Sequence, residues 1–302
     1  MNYLKKPFNI LEMYENQEII GTAADKDINI VNDYDLQEYI NLEGDKRQLY
    51  INIYEEFKKK FKDAIMNKDI FITDFKCGHY KSIPIRWNYE NMMNGYKVIE
   101  DKKIWFINAL QQKSVIKLDV LFLDSETSRL HEISQNYYIE INNNSNYDKI
   151  VKKNIKTSLL RSFKDYYYND KNFFKAMKRL YSYYKIFDER SKKIKLFQDL
   201  FNSEMGKQNK IISDLKTLLL LMEQTFRPVK KNIILDNLLA LNFSSFDENI
   251  KAMYDTLINN FKRMSKNQVK EHIENIINNV FNELNDKVFK YITEKKLLNN
   301  II

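Results

Sequence analysis

Apolar residues recur every three or four positions through the second half of the chain, and in short runs or alternation through much of the first. From Asn267 to about Leu298, Val269, Ile273, Ile276, Val280, Leu284 and Val288 keep three-to-four spacing, which predicts one long amphipathic helix. KNFFKAMKRLYSYYKIF, SKKIKLFQDLFN, QNKIISDLKTLLLLMEQ and FDENIKAMYDTLINNFKRM each carry a helix-length apolar stripe as well. Toward the N-terminus, DKRQLYINIYEEFKKKFKDAIMN places Leu49, Ile53, Phe57, Phe61 and Ile65 at helical spacing. IFITDFKCG and IPIRW are β-branched and aromatic, and read as strands around a turn at residues 77–82. NYENMMNGYKVI and KIWFINALQQ read as short helices. SVIKLDVLFLD and RLHEISQNYYIEI read as two strands, with SETS as the turn between them.

The polar run INNNSNYD, residues 141–148, has no periodic apolar positions and marks the best boundary. It predicts a mixed α/β domain over 1–145 and an all-α helical domain over 146–302. Charge reverses at the same place. Residues 1–145 carry 19 Lys+Arg against 23 Asp+Glu, a balance of −4, and residues 146–302 carry 30 against 18, a balance of +12. Either the rear half faces a polyanion, or its lysines are solvated helix faces. With 5 glycines and 3 prolines in 302 residues, long helices are favoured over sandwiches and barrels. A single cysteine excludes an intramolecular disulfide and any multi-cysteine zinc site, and Cys77 with His79 supplies too few ligands for one. No signal-peptide pattern opens the sequence, and the most apolar run, TLLLLMEQ, is too short to cross a bilayer. The expected setting is cytoplasmic, with no membrane contact.

Candidate chemistry begins with four aspartates in eleven positions, Asp25, Asp27, Asp33 and Asp35, directly after a Gly-Thr pair. Asp33 and Asp35 are two apart, so in a strand both carboxylates share one face. Held side by side in a partly dry site they repel by several kcal/mol unless a cation lies between them. Hard divalent ions bound by carboxylates are Mg²⁺ chemistry, usually completed by substrate phosphates. A two-metal site needs a further acid from another strand. In SVIKLDVLFLD, Ile116, Leu118, Val120 and Phe122 form an apolar face, and Asp119 lies on the other. An acid in such a strand is costly without a partner. Asp25 and Asp27 are expected to cap or solvate the loop. Lys113 and Lys117 either temper Asp119 or touch substrate. Arg86 and Trp87 are expected to pack at a strand end, and the KKKFK run at 58–62 is an ordinary solvated helix face.

Taken together, Gly-Thr, ten residues, Asp-Tyr-Asp, and a later strand with a lone aspartate resemble the DNA polymerase β-like nucleotidyltransferase superfamily. More narrowly, IIGTAADKDINIVNDYDLQEYI, IFITDFKCG, IRWNYENMMNGYKVI and ALQQKSVIKLDVLFL are similar to a nucleotidyltransferase-like family encoded by large cytoplasmic DNA viruses. The likeness extends more weakly into KNFFKAMKRLYSYYKIF and LFNSEMGKQNKIISDLKTLLLLME. It implies an α/β (α+β) catalytic domain with a mixed sheet. Gly21 and Thr22 would hold the β/γ-phosphates of a nucleoside triphosphate, expected to be ATP. Asp33, Asp35 and Asp119 would ligate two Mg²⁺ ions. Thr22 departs from the superfamily, which usually has serine there. Lys175 and Lys178, three apart on one helix face, would reach the triphosphate or merely line the solvent side of a core stripe of Phe174, Met177, Leu180 and Tyr184. Tyr181, Tyr183 and Tyr184 offer rings for base stacking. The implied reaction is transfer of a nucleoside monophosphate to an RNA or other nucleic-acid 3′ hydroxyl, in the manner of a poly(A) polymerase. The alternatives are AMP transfer to a protein or small molecule, or a silent relative that binds nucleic acid or a partner.

Overall fold

The computed structural model describes residues 19–39, 70–79, 103–111, 116–123, 149–225 and 228–299, together with Gln48, Ile51, Asn52, Glu55 and Ile301. The helix expected over 45–67 is described only at 48, 51, 52 and 55, all four helical. The expectations for IPIRW, NYENMMNGYKVI, RLHEISQNYYIEI, the boundary run 141–148, Arg86, Trp87 and Lys113 lie outside the described residues.

Among the described residues, five strands form one sheet: β1 (Ile19–Ile20), β2 (Asp33–Tyr39), β3 (Ile70–His79), β4 (Lys103–Gln111) and β5 (Ile116–Leu123). Their order is β1-β2-β5-β4-β3, with β2 parallel to β5 and every other pair antiparallel. KIWFINALQ corrects the sequence reading: it is strand β4, not a short helix. The run Ile104-Trp105-Phe106-Ile107 is rich in residues that suit a pleated surface, and β4 is hydrogen-bonded on both sides, to β3 and β5. Cys77 to His79 also continue strand β3 where a turn was expected, paired with Trp105 to Lys103.

Numbered from residue 149, the helices are α1 (Lys149–Lys164), α2 (Phe173–Phe187), α3 (Lys192–Asn202), α4 (Glu204–Thr225), α5 (Pro228–Leu239), α6 (Glu248–Asn260) and α7 (Lys266–Glu294). Their starts follow capping chemistry. Asn172 caps α2 by accepting the Lys175 N–H at 3.1 Å, and Asp247 caps α6 by accepting that of Ile250 at 2.8 Å. Ser265 and Gln268 form a reciprocal capping box on α7. Pro228 stands at the first position of α5, where its missing N–H costs nothing. A π-helical turn, Asp165–Asn169, and a positive φ of 46° at Lys171 redirect the chain from α1 into α2.

The six residues read as the stripe of α7 are all buried in the helical core, as are Phe174, Met177, Leu180 and Tyr184 of α2. That core also takes in Ile28, which lies between β1 and β2 and is 1% exposed. Apolar burial of this kind stabilises by roughly 25 cal/mol per Å². It ties the segment before β2 to the helices. No helix among the described residues is long and apolar enough to cross a membrane.

Candidate active site

Strand β1 ends at Ile20, and the chain at once tightens into a 3₁₀ turn over Gly21–Ala24. The Thr22 carbonyl accepts the Asp25 N–H at 3.2 Å, and Ala23, within the turn, is buried. Ile20 is the register partner of Asp35, so the Gly-Thr turn starts one residue from the acidic strand. Asp35 pairs in turn with Asp119 across the parallel β2/β5 ladder. The same row continues through Asn108 of β4 to Asp74 of β3. Register partners of neighbouring strands are the closest positions on a sheet. Three of the acids singled out in the sequence, eighty-odd residues apart in the chain, therefore occupy one corner of it. Lys117 is the register partner of Asp33, which brings a cation position to that corner too.

Asp33 and Asp35 are half-buried. Lys178 of α2 lies within electrostatic reach of both. The residue as a whole is half-buried, but its ammonium is withdrawn from water, and this burial pushes its pKa below the usual lysine range. Asp33 and Asp35 pull the other way, while Arg179 and Lys175 add to the depression. The second lysine of the predicted pair behaves differently. Lys175 is exposed, and its ammonium sits 4.5 Å from the centre of the Tyr166 ring, which the Arg179 guanidinium approaches to 5.8 Å. Burial raises the Tyr166 phenol, but hydrogen bonding from Lys175 and the charges of Lys175 and Arg179 outweigh it and hold the phenol below its ordinary value.

The tyrosines expected to stack on a base are mostly committed elsewhere. Tyr181 and Tyr184 are buried. The Tyr184 hydroxyl accepts from the Lys193 ammonium at 3.0 Å, and the Tyr183 ring packs against Tyr184 and Phe187. Tyr181 donates its O–H to Asp25. Asp25 also accepts the Lys185 ammonium at 2.6 Å and, through its other oxygen, the Asp27 N–H at 2.9 Å. Its carboxylate is only 9% exposed. Burial raises this carboxyl, yet the hydrogen bonds from Lys185 and Tyr181 prevail and keep it below the usual range. Asp27 accepts from the Gln198 amide at 3.1 Å. The Asn202 amide donates to the Asp27 carbonyl and accepts the Asn29 N–H, both at 2.7 Å. The ten-residue spacer is thus bound to α2 and α3, not left as a solvated loop. Sequence reading missed Arg179, Lys185, Gln198 and Asn202. For Lys185 a signal existed: Lys178, Tyr181 and Lys185 stand at i, i+3 and i+7, one face of one helix.

Carboxylates such as those of Asp33 and Asp35 are the kind of oxygen donor that binds a hard divalent cation. Among the described residues no group of three metal-ligating side chains is assembled, and Asp119 enters the corner through its strand register.

The Gly-Thr turn beside the Asp-Tyr-Asp strand, which pairs in parallel with the strand bearing the next acid, belongs to an overall fold with known counterparts. Solved structures share it over nearly the whole chain. The M. chilensis Mg662 protein complexed with GTP matches with a TM-score of 0.53 at 12% identity, covering 97% of this chain and 90% of that one. A nucleotidyl transferase encoded by a Megaviridae ORFan gene matches at 0.56 and 12% identity, covering 97% and 89%. A further structure of a Megaviridae nucleotidyl transferase matches at 0.54 and 13%, covering 97% and 90%. At this identity the likeness defines the fold. No family model and no curated protein sequence matches the chain.

Proposed function

We propose that the protein is a nucleotidyltransferase that moves a nucleoside monophosphate from a nucleoside triphosphate to a nucleic-acid 3′ hydroxyl. The observation that carries this reading is the register Ile20–Asp35–Asp119, which sets the Gly-Thr turn and two acid-bearing strands side by side in a fold shared with nucleotidyl transferases. Backbone N–H groups of the Gly21–Thr22 turn, with the Thr22 hydroxyl, cradle the β/γ-phosphates. Asp33, Asp35 and Asp119 would hold two Mg²⁺ ions, which supply charge neutralisation and an activated hydroxyl at the α-phosphorus. The acceptor O3′–Pα bond would form as the bond from Pα to the bridging oxygen breaks; pyrophosphate leaves with that oxygen, and the proton of the 3′ hydroxyl is released to solvent. The Lys178 ammonium faces the carboxylates and neutralises charge on the triphosphate. The balance of +12 over residues 146–302 supports a nucleic acid as acceptor. ATP is the expected donor, and the GTP complex of the M. chilensis protein makes GTP its first competitor.

Purified protein with Mg²⁺ and each of four labelled triphosphates should extend an RNA oligonucleotide at its 3′ end. Asp119→Asn should lower that rate by about a thousandfold. Label appearing on protein in place of RNA would redirect the reading to AMP transfer. No incorporation, with RNA still retained in a salt-dependent way, would leave a binding protein.

A further inference from the structure

The segment between the Gly-Thr turn and β2 is held by the helices at both side chains and backbone. Asp25 is gripped by Tyr181 and Lys185 of α2, and Asp27 with Asn29 by Gln198 and Asn202 of α3. The grip is itself rigid, because the Tyr181 ring meets Phe201 edge-on at 5.3 Å and lies against Phe197 at 6.2 Å. Beyond Asp27 the segment is nailed down by apolar contact: Ile28, Ile30 and Val31 are all buried. The face of α2 that presents Lys178 to Asp33 and Asp35 is the face that carries Tyr181 and Lys185. One helix therefore binds Asp25 behind the turn and brings Lys178 within electrostatic reach of Asp33 and Asp35.

From this geometry we infer that Tyr181 and Lys185 are positioning residues: through Asp25 they fix the Gly21–Ala24 turn at a set distance from the acidic strand, so that a triphosphate held by the turn lines up with the carboxylates. The inference rests on the transferase reading for its purpose but not for its structural content. Asp25 stands immediately after the 3₁₀ turn, whose Thr22 carbonyl it caps through its own N–H. A shift of the Asp25 side chain is therefore transmitted to Gly21 and Thr22 within a single turn. A buried carboxylate with two cationic or phenolic donors has one low-energy place to be, which suits it as an anchor.

The test uses the full chain with Tyr181→Phe and Lys185→Met combined, which keeps the ring and the aliphatic stem but removes both donors. Amide hydrogen exchange across residues 21–31 should quicken by at least about tenfold, while α7 keeps its wild-type rates. The KM for the triphosphate should rise by about tenfold with a smaller change in kcat. Lys185→Arg, which preserves the donor and charge, should remain close to wild type in both measurements. Unchanged exchange over 21–31 would overturn the inference. So would faster exchange spread equally into α7, which marks general destabilisation, or a loosened turn with unchanged KM. Should the wild type incorporate no nucleotide, the transferase reading falls. The clasp is then decided by exchange, with and without Mg-GTP: added protection of residues 21–24 in the wild type, lost in the double variant, upholds it, and equal behaviour of the two proteins rejects it.

Discussion

At Gly206 an added methyl group has nowhere to go. A Cβ built there would stand 1.9 Å from the Phe201 carbonyl oxygen and 2.7 Å from its carbon, both backbone atoms that cannot rotate aside. The close approach is what lets α4 start immediately after α3. Gly206→Ala should lower unfolding free energy by about 3 kcal/mol, read from the urea midpoint at unchanged slope. The Ile30 methyl lies 3.4 Å from the same point, so the variant should also loosen the segment before β2. Nothing in the local string EMGKQ announces this. A glycine inside a helical pattern reads as a modest propensity cost, and its real reason is a neighbouring turn. The aspartates divide in the same way. Asp33 and Asp35 were legible because their spacing of two has a direct meaning in a strand. The fixed partners of Asp25 were not, because Tyr181 and Lys185 lie more than 150 residues away.

Elements differ in how far local pattern decides them. Helix α7 was readable from its stripe of three-to-four spacing, Val269 to Val288; it spans Lys266–Glu294, ending short of the expected Leu298, and its start carries Ser265 and Gln268 in capping-box spacing. The Ser265 N–H donates to the Gln268 side chain at 2.8 Å, and the Ser265 hydroxyl accepts the Gln268 N–H at 3.3 Å. Ser265→Ala should cost about 1 kcal/mol in thermal or urea unfolding, with Ser265→Asp close to neutral. Strand β4 shows the opposite. Its nine residues are too few for periodicity to separate helix from strand, and the deciding hydrogen bonds come from β3 and β5. That misreading hid Asn108, which the register sets beside Asp119. The stripe of α2 was read correctly as core. The same periodicity takes Tyr181 and Tyr184 into that core and leaves Lys178 within electrostatic reach of Asp33 and Asp35.

For the molecule as a whole, two buried carboxylates should shape stability against pH in opposite senses. Asp214, paired with Lys210 on α4, has its carboxyl pushed up to about 6 by burial, against the pull of that lysine. Unfolded, it titrates at about 3.9. Between those values the folded chain keeps a proton that the unfolded chain has released, so stability falls as pH rises from about 4 to about 6 and then levels. The total is roughly 2–3 kcal/mol, and urea titrations at pH 4, 5, 6 and 7 should show this decline flattened in Asp214→Asn. Asp25 acts with the other sign: its folded carboxyl is depressed, so its contribution is present above the unfolded value and disappears as acid protonates it. The bonds that Asp25 makes also set an order of events during synthesis. Every predicted metal ligand has left the ribosome once residue 123 is out, yet the anchors for the turn, residues 181 to 202, are still to come. A nascent chain halted near residue 145 would own all the acids and none of the helical anchors that hold the turn against them, so competence should arrive late, with the helices.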